Sequence, residues 1–347
     1  MSTRTSSPAP MYPSAVDVAG PSRKLKVALA SAFLAMATAA TPPLAAQDIQ
    51  SADLLRRATT WGYLLQNIDA SKLDTTDYDV LVVDAGSGDG EWGLSRGQIS
   101  KLSTKPDGSR RIVLAYMNIG EAEDYRYYWK KAWNRKPPTW MGSENCRWQG
   151  DHRVRHWMAE WQAILFGTKQ SYLGRLIDAG YDGVYLDRVD IFYHWRPTRW
   201  QAATEMVDLV SALSRWAKSR RPGFLIVPQN GEELLSEPRY RAAIDAIGKE
   251  DMLFGDRGNN TPNASDRIAR AVRNFAPARK SGLPVFSVEY ATNKKHHEEI
   301  RARHSELGFT LYFGPRSLAY LGQDGPRHAE DSDTETALTE ETTATCE

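Results

Sequence analysis

The chain has 347 residues, enough for one large α/β domain or two ordinary ones, so a substantial hydrophobic core is within reach. Its 44 Lys and Arg nearly match its 43 Asp and Glu, and the net charge of +1 removes the case for nucleic acid as a partner. Two cysteines, Cys146 and Cys346, supply neither a disulfide framework nor a zinc cluster.

The first segment, residues 1–46, reads as a leader and signal. Arg23, Lys24 and Lys26 precede an apolar run from Val27, and small residues follow up to Ala46. Pro42 and Pro43 break the run short of the about 20 apolar residues a permanent span needs. This predicts a secreted or periplasmic protein, in contact with a membrane only if the segment stays uncleaved.

From residue 52 to 322 short apolar runs alternate with helix-like segments, the pattern of a parallel sheet covered by helices. Eight strand signals are present: "WGYLLQN" from Trp61, "VLVVDAG" from Val80, "RIVLAYMNIGE" from Arg111, "GVYLDRVD" from Gly183, "FLIVPQNG" from Phe224, "AIGKEDMLFG" from Ala246, "PVFSVEYA" from Pro284 and "FTLYFGP" from Phe309. Eight such signals in one uninterrupted stretch predict a single-domain (β/α)₈ TIM barrel. Leu209, Leu213 and Trp216 recur at helical spacing between the fourth and fifth runs, and "KHHEEIRARHSELG" closes a charged helix on a glycine. The connection from Ala122 to Gly180 is the longest and is expected to be a loop that belongs to the site. Residues 327–347 are acidic, Thr-rich and poor in apolar side chains, which predicts a disordered tail.

In a closed parallel barrel the C-terminal strand ends converge on one face. Acids fall there repeatedly: Asp84, Glu121, Asp187 and Asp190, Glu232, Glu250 and Asp251, and Glu289. A carboxylate at a strand end can instead cap a helix or pair with a basic neighbour. That reading weighs less for Asp187, Glu250 and Glu289, whose apolar surroundings make an idle charge costly. Two convergent carboxyls with separated pKa values are what glycosidic cleavage requires. Trp129, Trp133, Trp140 and Trp148 crowd the long connection, where flat rings can stack on sugars, whereas Trp157 and Trp161 read as one buried helix stripe.

The segments "RIVLAYMNIGEAEDYRYYW", "GYDGVYLDRVD", "PQNGEELL" and "AIGKEDMLFG", in this order, resemble glycoside-hydrolase family 114, the secreted endo-α-1,4-polygalactosaminidases with a (β/α)₈ fold. The resemblance spans residues 61–321 and implies hydrolysis of α-1,4-linked galactosamine-containing polysaccharide, without a cofactor. It implies Asp187 of "YLD" as nucleophile and Glu250 of "KED" as acid/base, and so a retaining reaction. "YFGPRSLAYLG" departs from the family pattern, which often has an acid in that loop. Asn230 is a candidate hydrogen-bond donor to sugar, and Tyr116, Tyr125, Tyr185 and Trp140 are candidates for lining the cleft. A rim of Asp84, Glu121, Asp187, Asp190, Glu232 and Glu289 would attract a cationic amino-sugar polymer.

Three other readings compete. "VLVVDAGSGDGEWG" places a glycine-rich turn at 85–93 after a strand, as in nucleotide or S-adenosylmethionine sites, but an acid about 20 residues further on is missing. A metal-dependent deacetylase would need ligand clusters, yet His152, His156 and His194 are scattered, and His296, His297 and His304 read as the solvated face of a helix. A secreted, non-catalytic carbohydrate-binding barrel would keep the cleft without turnover.

Overall fold

The computed structural model describes residues 44–86 and 93–322. The signal segment up to Pro43, the acidic tail and most of the glycine-rich turn at 85–93 lie outside the described residues. No helix among the described residues is long and apolar enough to cross a membrane.

The protein is an α/β fold with a central parallel sheet system. Its eight principal strands follow the chain: β1 (Trp61–Leu64), β2 (Val80–Asp84), β3 (Ile112–Asn118), β4 (Gly183–Asp187), β5 (Leu225–Pro228), β6 (Ile247–Glu250), β7 (Val285–Glu289) and β8 (Thr310–Phe313). β1 to β5 pair in parallel in chain order, and β6, β7 and β8 form a second parallel set. One parallel bridge, Gln229 to Gly248, joins the two sets. On the other side the Trp61 indole donates to the Thr310 carbonyl at 3.0 Å, and the Leu65 amide donates to the Leu318 carbonyl at 2.9 Å.

These runs become strands because they are apolar throughout and covered on both faces. Every residue of β2 and β3 is buried. Aromatic rings from β1, β4, β7 and β8 fill the interior between the strands: Trp61 lies 6.1 Å from Tyr185, 5.7 Å from Phe286 and 5.5 Å from Tyr312, centroid to centroid. Gly248 is required there, since a Cβ on it would clash with the Tyr185 hydroxyl.

Helices cover the outside. The helix Ala202–Arg220 buries Leu209, Val210, Leu213 and Ala217 on one face. Tyr172–Ala179 stops at Gly180, whose φ of 103° turns the chain into β4. Asp182, two residues later, accepts the Val113 amide at 2.9 Å and the Arg110 guanidinium at 2.5 Å. That acid fastens the start of β4, at the end of the strand opposite Asp187. The helix Lys294–Leu307 corrects one expectation: His304 is buried rather than solvated, its ring held between the Ile300 carbonyl and the Ser287 hydroxyl, both at 2.9 Å.

The long connection after β3 is ordered rather than a loop. Glu121–Glu123, Trp148–Val154 and Met141–Asn145 form a three-stranded antiparallel sheet, followed by helices Ala159–Leu165 and Tyr172–Ala179. Trp161 anchors it, fully buried with its indole donating to the Ile119 carbonyl at 3.0 Å. Trp157 is no part of that helix face; it precedes the helix and packs against Trp195 and Arg199.

Candidate active site

The ends of β2, β3, β4 and β6, the antiparallel insertion and the segment after β8 enclose a cleft of about 790 Å³. Asp187, the last residue of β4, and Glu250, the last of β6, both line it. Each ends an apolar strand, so the carboxyl emerges from the core partly covered. Asp187 accepts the Tyr116 hydroxyl at 2.6 Å and the Arg188 amide at 2.7 Å. Glu250 accepts the Asn230 side-chain amide and the Tyr290 hydroxyl, each at 3.1 Å. Asn230 in turn receives Lys249 Nζ at 3.2 Å on its oxygen, which fixes the orientation of its amide.

Burial pushes the Asp187 carboxyl up to about 7, and the charge of Glu250 adds to the rise; Arg188 and the two hydrogen bonds oppose it. The charge of Glu250 thus reaches Asp187 across the cleft. Two carboxyls on one cleft allow one to donate a proton while the other attacks.

The structure brings Asp84, Tyr116, Glu121 and Tyr125 to the same cleft wall. Three of the acids there are neutralised. Arg126, buried under the wall, grips both oxygens of Asp84 at 2.6 and 2.8 Å and Glu123 at 2.6 Å. Glu121 opens the insertion, three residues past β3, and accepts Asn145 at 3.0 Å and Arg188 at 3.1 Å. Tyr125 donates to Glu123 at 2.7 Å.

Other candidates stand behind or beside the lining. Asp190 faces Arg188 at 3.7 Å, and Glu232 faces Lys249 at 3.5 Å. Tyr185 fills the strand interior against Tyr63. Trp140, only 3% exposed, is sandwiched between Trp133 and Trp161, so it is a packing residue rather than a sugar platform. Glu289 is enclosed, accepting the Leu253 amide at 2.8 Å, with its neighbour Tyr290 lining the cleft instead. A strand alternates its sides, so one position separates the two roles.

The sequence reading missed Glu123, Asp151, Arg188 and Arg316 in the lining. Arg316 holds Asp251 with both terminal nitrogens, at 3.1 and 2.8 Å. The segment after β8 thus contributes a base where the resemblance led one to look for an acid. Among the described residues no three His, Cys, Asp or Glu side chains converge as metal ligands.

The model of glycoside-hydrolase family GH114 matches residues 41–332. The chain belongs to this family. An uncharacterized protein of Thermotoga maritima is 37% identical over 236 residues, 66% of this chain and 70% of that one. The glycoside hydrolase domain of PelA from Pseudomonas aeruginosa shares the fold at a TM-score of 0.59 and 16% identity, over 77% of this chain and 98% of that one. Ega3 of Aspergillus fumigatus, solved in complex with galactosamine, does so at 0.55 and 17% identity, over 77% and 96%. As a GH114 member the protein is a glycoside hydrolase.

Proposed function

We propose that this protein is a secreted, retaining hydrolase of α-1,4-linked galactosamine-containing polysaccharide, built on a closed (β/α)₈ barrel. The observation that carries the reading is the placement of Asp187 and Glu250 at two strand ends on one cleft, each held by two hydrogen bonds and coupled through charge. The galactosamine bound to Ega3 supports the choice of amino sugar.

In the mechanism, Glu250 acts as general acid and gives a proton to the glycosidic oxygen as the bond to the anomeric carbon breaks. The Asp187 carboxylate attacks that carbon and forms a glycosyl ester. Tyr116 and the Arg188 amide hold the attacking carboxylate in position, and Asn230 and Tyr290 hold the acid. In the second half Glu250 takes a proton from water, the water oxygen bonds to the anomeric carbon, and Asp187 leaves.

The test is incubation of the enzyme with deacetylated and acetylated galactosaminan and with neutral polysaccharides, reading reducing ends. Release from galactosaminan is expected, falling by about two orders of magnitude or more in Asp187→Asn and in Glu250→Gln. A product that first appears with the anomeric configuration inverted would remove the nucleophile role from Asp187. Cleavage confined to neutral glycans would remove the substrate.

A further inference from the structure

The acids of the cleft differ in what already holds them. Asp84 and Glu123 share Arg126, Glu121 has Arg188 and Asn145, and Asp187 and Glu250 each accept two hydrogen bonds. Asp151 has none of this. Its Oδ1 is shielded from solvent and has no hydrogen-bond partner among the described residues, while the residue lines the cleft. Its backbone is fixed: Asp151 pairs with Glu123 across the insertion sheet, and the preceding Gly150 donates to Glu144 at 2.7 Å. Three residues earlier on the same strand, Trp148 also lines the cleft with its side chain 55% exposed.

A buried carboxylate oxygen without a donor is costly, and the cost is recovered when a ligand brings the donor. An exposed indole in the same cleft suits the apolar face of a sugar ring. We propose that Asp151 is the specificity residue that receives the ammonium group of an amino sugar, with Trp148 offering a stacking face elsewhere along the same cleft. This rests on the amino-sugar reading above and names the side chain that would impose it. The electrostatics run the same way. Burial and the charges of Glu123, Glu121 and Asp187 push Asp151 up to about 8, with Arg126 opposing, so the site is short of positive charge. The paired acids cannot serve in its place without giving up an arginine.

The experiment compares wild type and Asp151→Asn in steady-state hydrolysis of deacetylated and N-acetylated α-1,4-galactosaminan, and in calorimetric binding of galactosamine and N-acetylgalactosamine. Asn keeps the shape and removes the charge. D151N is expected to raise KM for the deacetylated polymer about tenfold or more, with kcat within about twofold, and to weaken galactosamine binding by a similar factor. Binding of N-acetylgalactosamine should not change, which also shows the variant to be folded. Equal effects on amine and acetamide, or no effect on either, overturn the assignment. Wild-type protein that prefers galactosamine through Asp151 yet cleaves neither polymer keeps the assignment and removes the hydrolase specificity on which it was raised.

Discussion

Asp187 receives one hydrogen bond from a side chain, the Tyr116 hydroxyl, and one from the backbone, so only the first can be removed by substitution. That hydroxyl favours the carboxylate form, against the burial and the Glu250 charge that bring the group up to about 7. An attacking Asp187 must be ionised, so kcat/KM should rise with pH through the neutral range. In Tyr116→Phe the carboxylate loses a charge-assisted donor of about 1.5–3 kcal/mol, which moves the rising limb about one pH unit or more to the alkaline side. A pH profile of kcat/KM checks this, and a limb that stays in place would show that Tyr116 merely packs. That Asp187 and Glu250 lie on the cleft was legible in the sequence because acids recur where apolar strands end, and the resemblance of "YLD" and "KED" set these two apart from the other strand-end acids. Asp151 was not: "WQGDHRV" is polar, and nothing in it announces that one carboxylate of the cleft lacks a partner.

At the scale of elements, the antiparallel insertion is tied to the parallel sheet by Arg126, whose side chain is 4% exposed between Asp84 at the end of β2 and Glu123 in the insertion. Replacing it by Met keeps the volume and leaves two buried carboxylates without a counter-charge. Arg126→Met should therefore lower the unfolding free energy by about 3–5 kcal/mol, measured by urea denaturation. Adding Asp84→Asn and Glu123→Gln should return much of it, because the neutral side chains no longer need the arginine. A loss below about 1 kcal/mol would mean the acids are neutralised another way. This also explains what pattern reading could and could not see. The eight apolar runs are local signals, and all eight became strands in chain order. Arg126 lies 42 residues from Asp84, and its pairing leaves no mark on periodicity or composition. Of the acidic rim inferred from strand ends, Asp84, Glu121 and Asp187 line the cleft, and Asp84, Glu121, Asp190 and Glu232 are already answered by arginines or a lysine that only the folded chain brings near.

The whole molecule carries an unusual set of protons. Burial raises Asp187 to about 7 and Asp151 and Glu289 to about 8, whereas His156 and His304 are lowered to about 4, also by burial. Unfolded, the carboxyls titrate near 4 and the histidines near 6.5. From about pH 4 to 6.5 the folded state holds extra protons on the three acids and the unfolded state holds extra protons on the two histidines, so the slopes oppose each other. Above 6.5 the histidines are neutral in both states. Only the acids remain, still protonated in the fold and ionised in the unfolded chain, and stability must fall as pH rises through 7 and 8, at about 1.4 kcal/mol per pH unit for each such proton. The unfolding free energy from urea titrations should thus be lower at pH 8.5 than at pH 6.5 by at least about 1 kcal/mol. Asp187→Asn tests the origin, since it removes one of the three: the inactive variant should be more stable than wild type at pH 8.5, with the difference shrinking towards pH 5. A wild-type stability that is flat across this range would mean that these three acids ionise in the fold as easily as they do in water, and burial would no longer account for the raised Asp187 carboxyl.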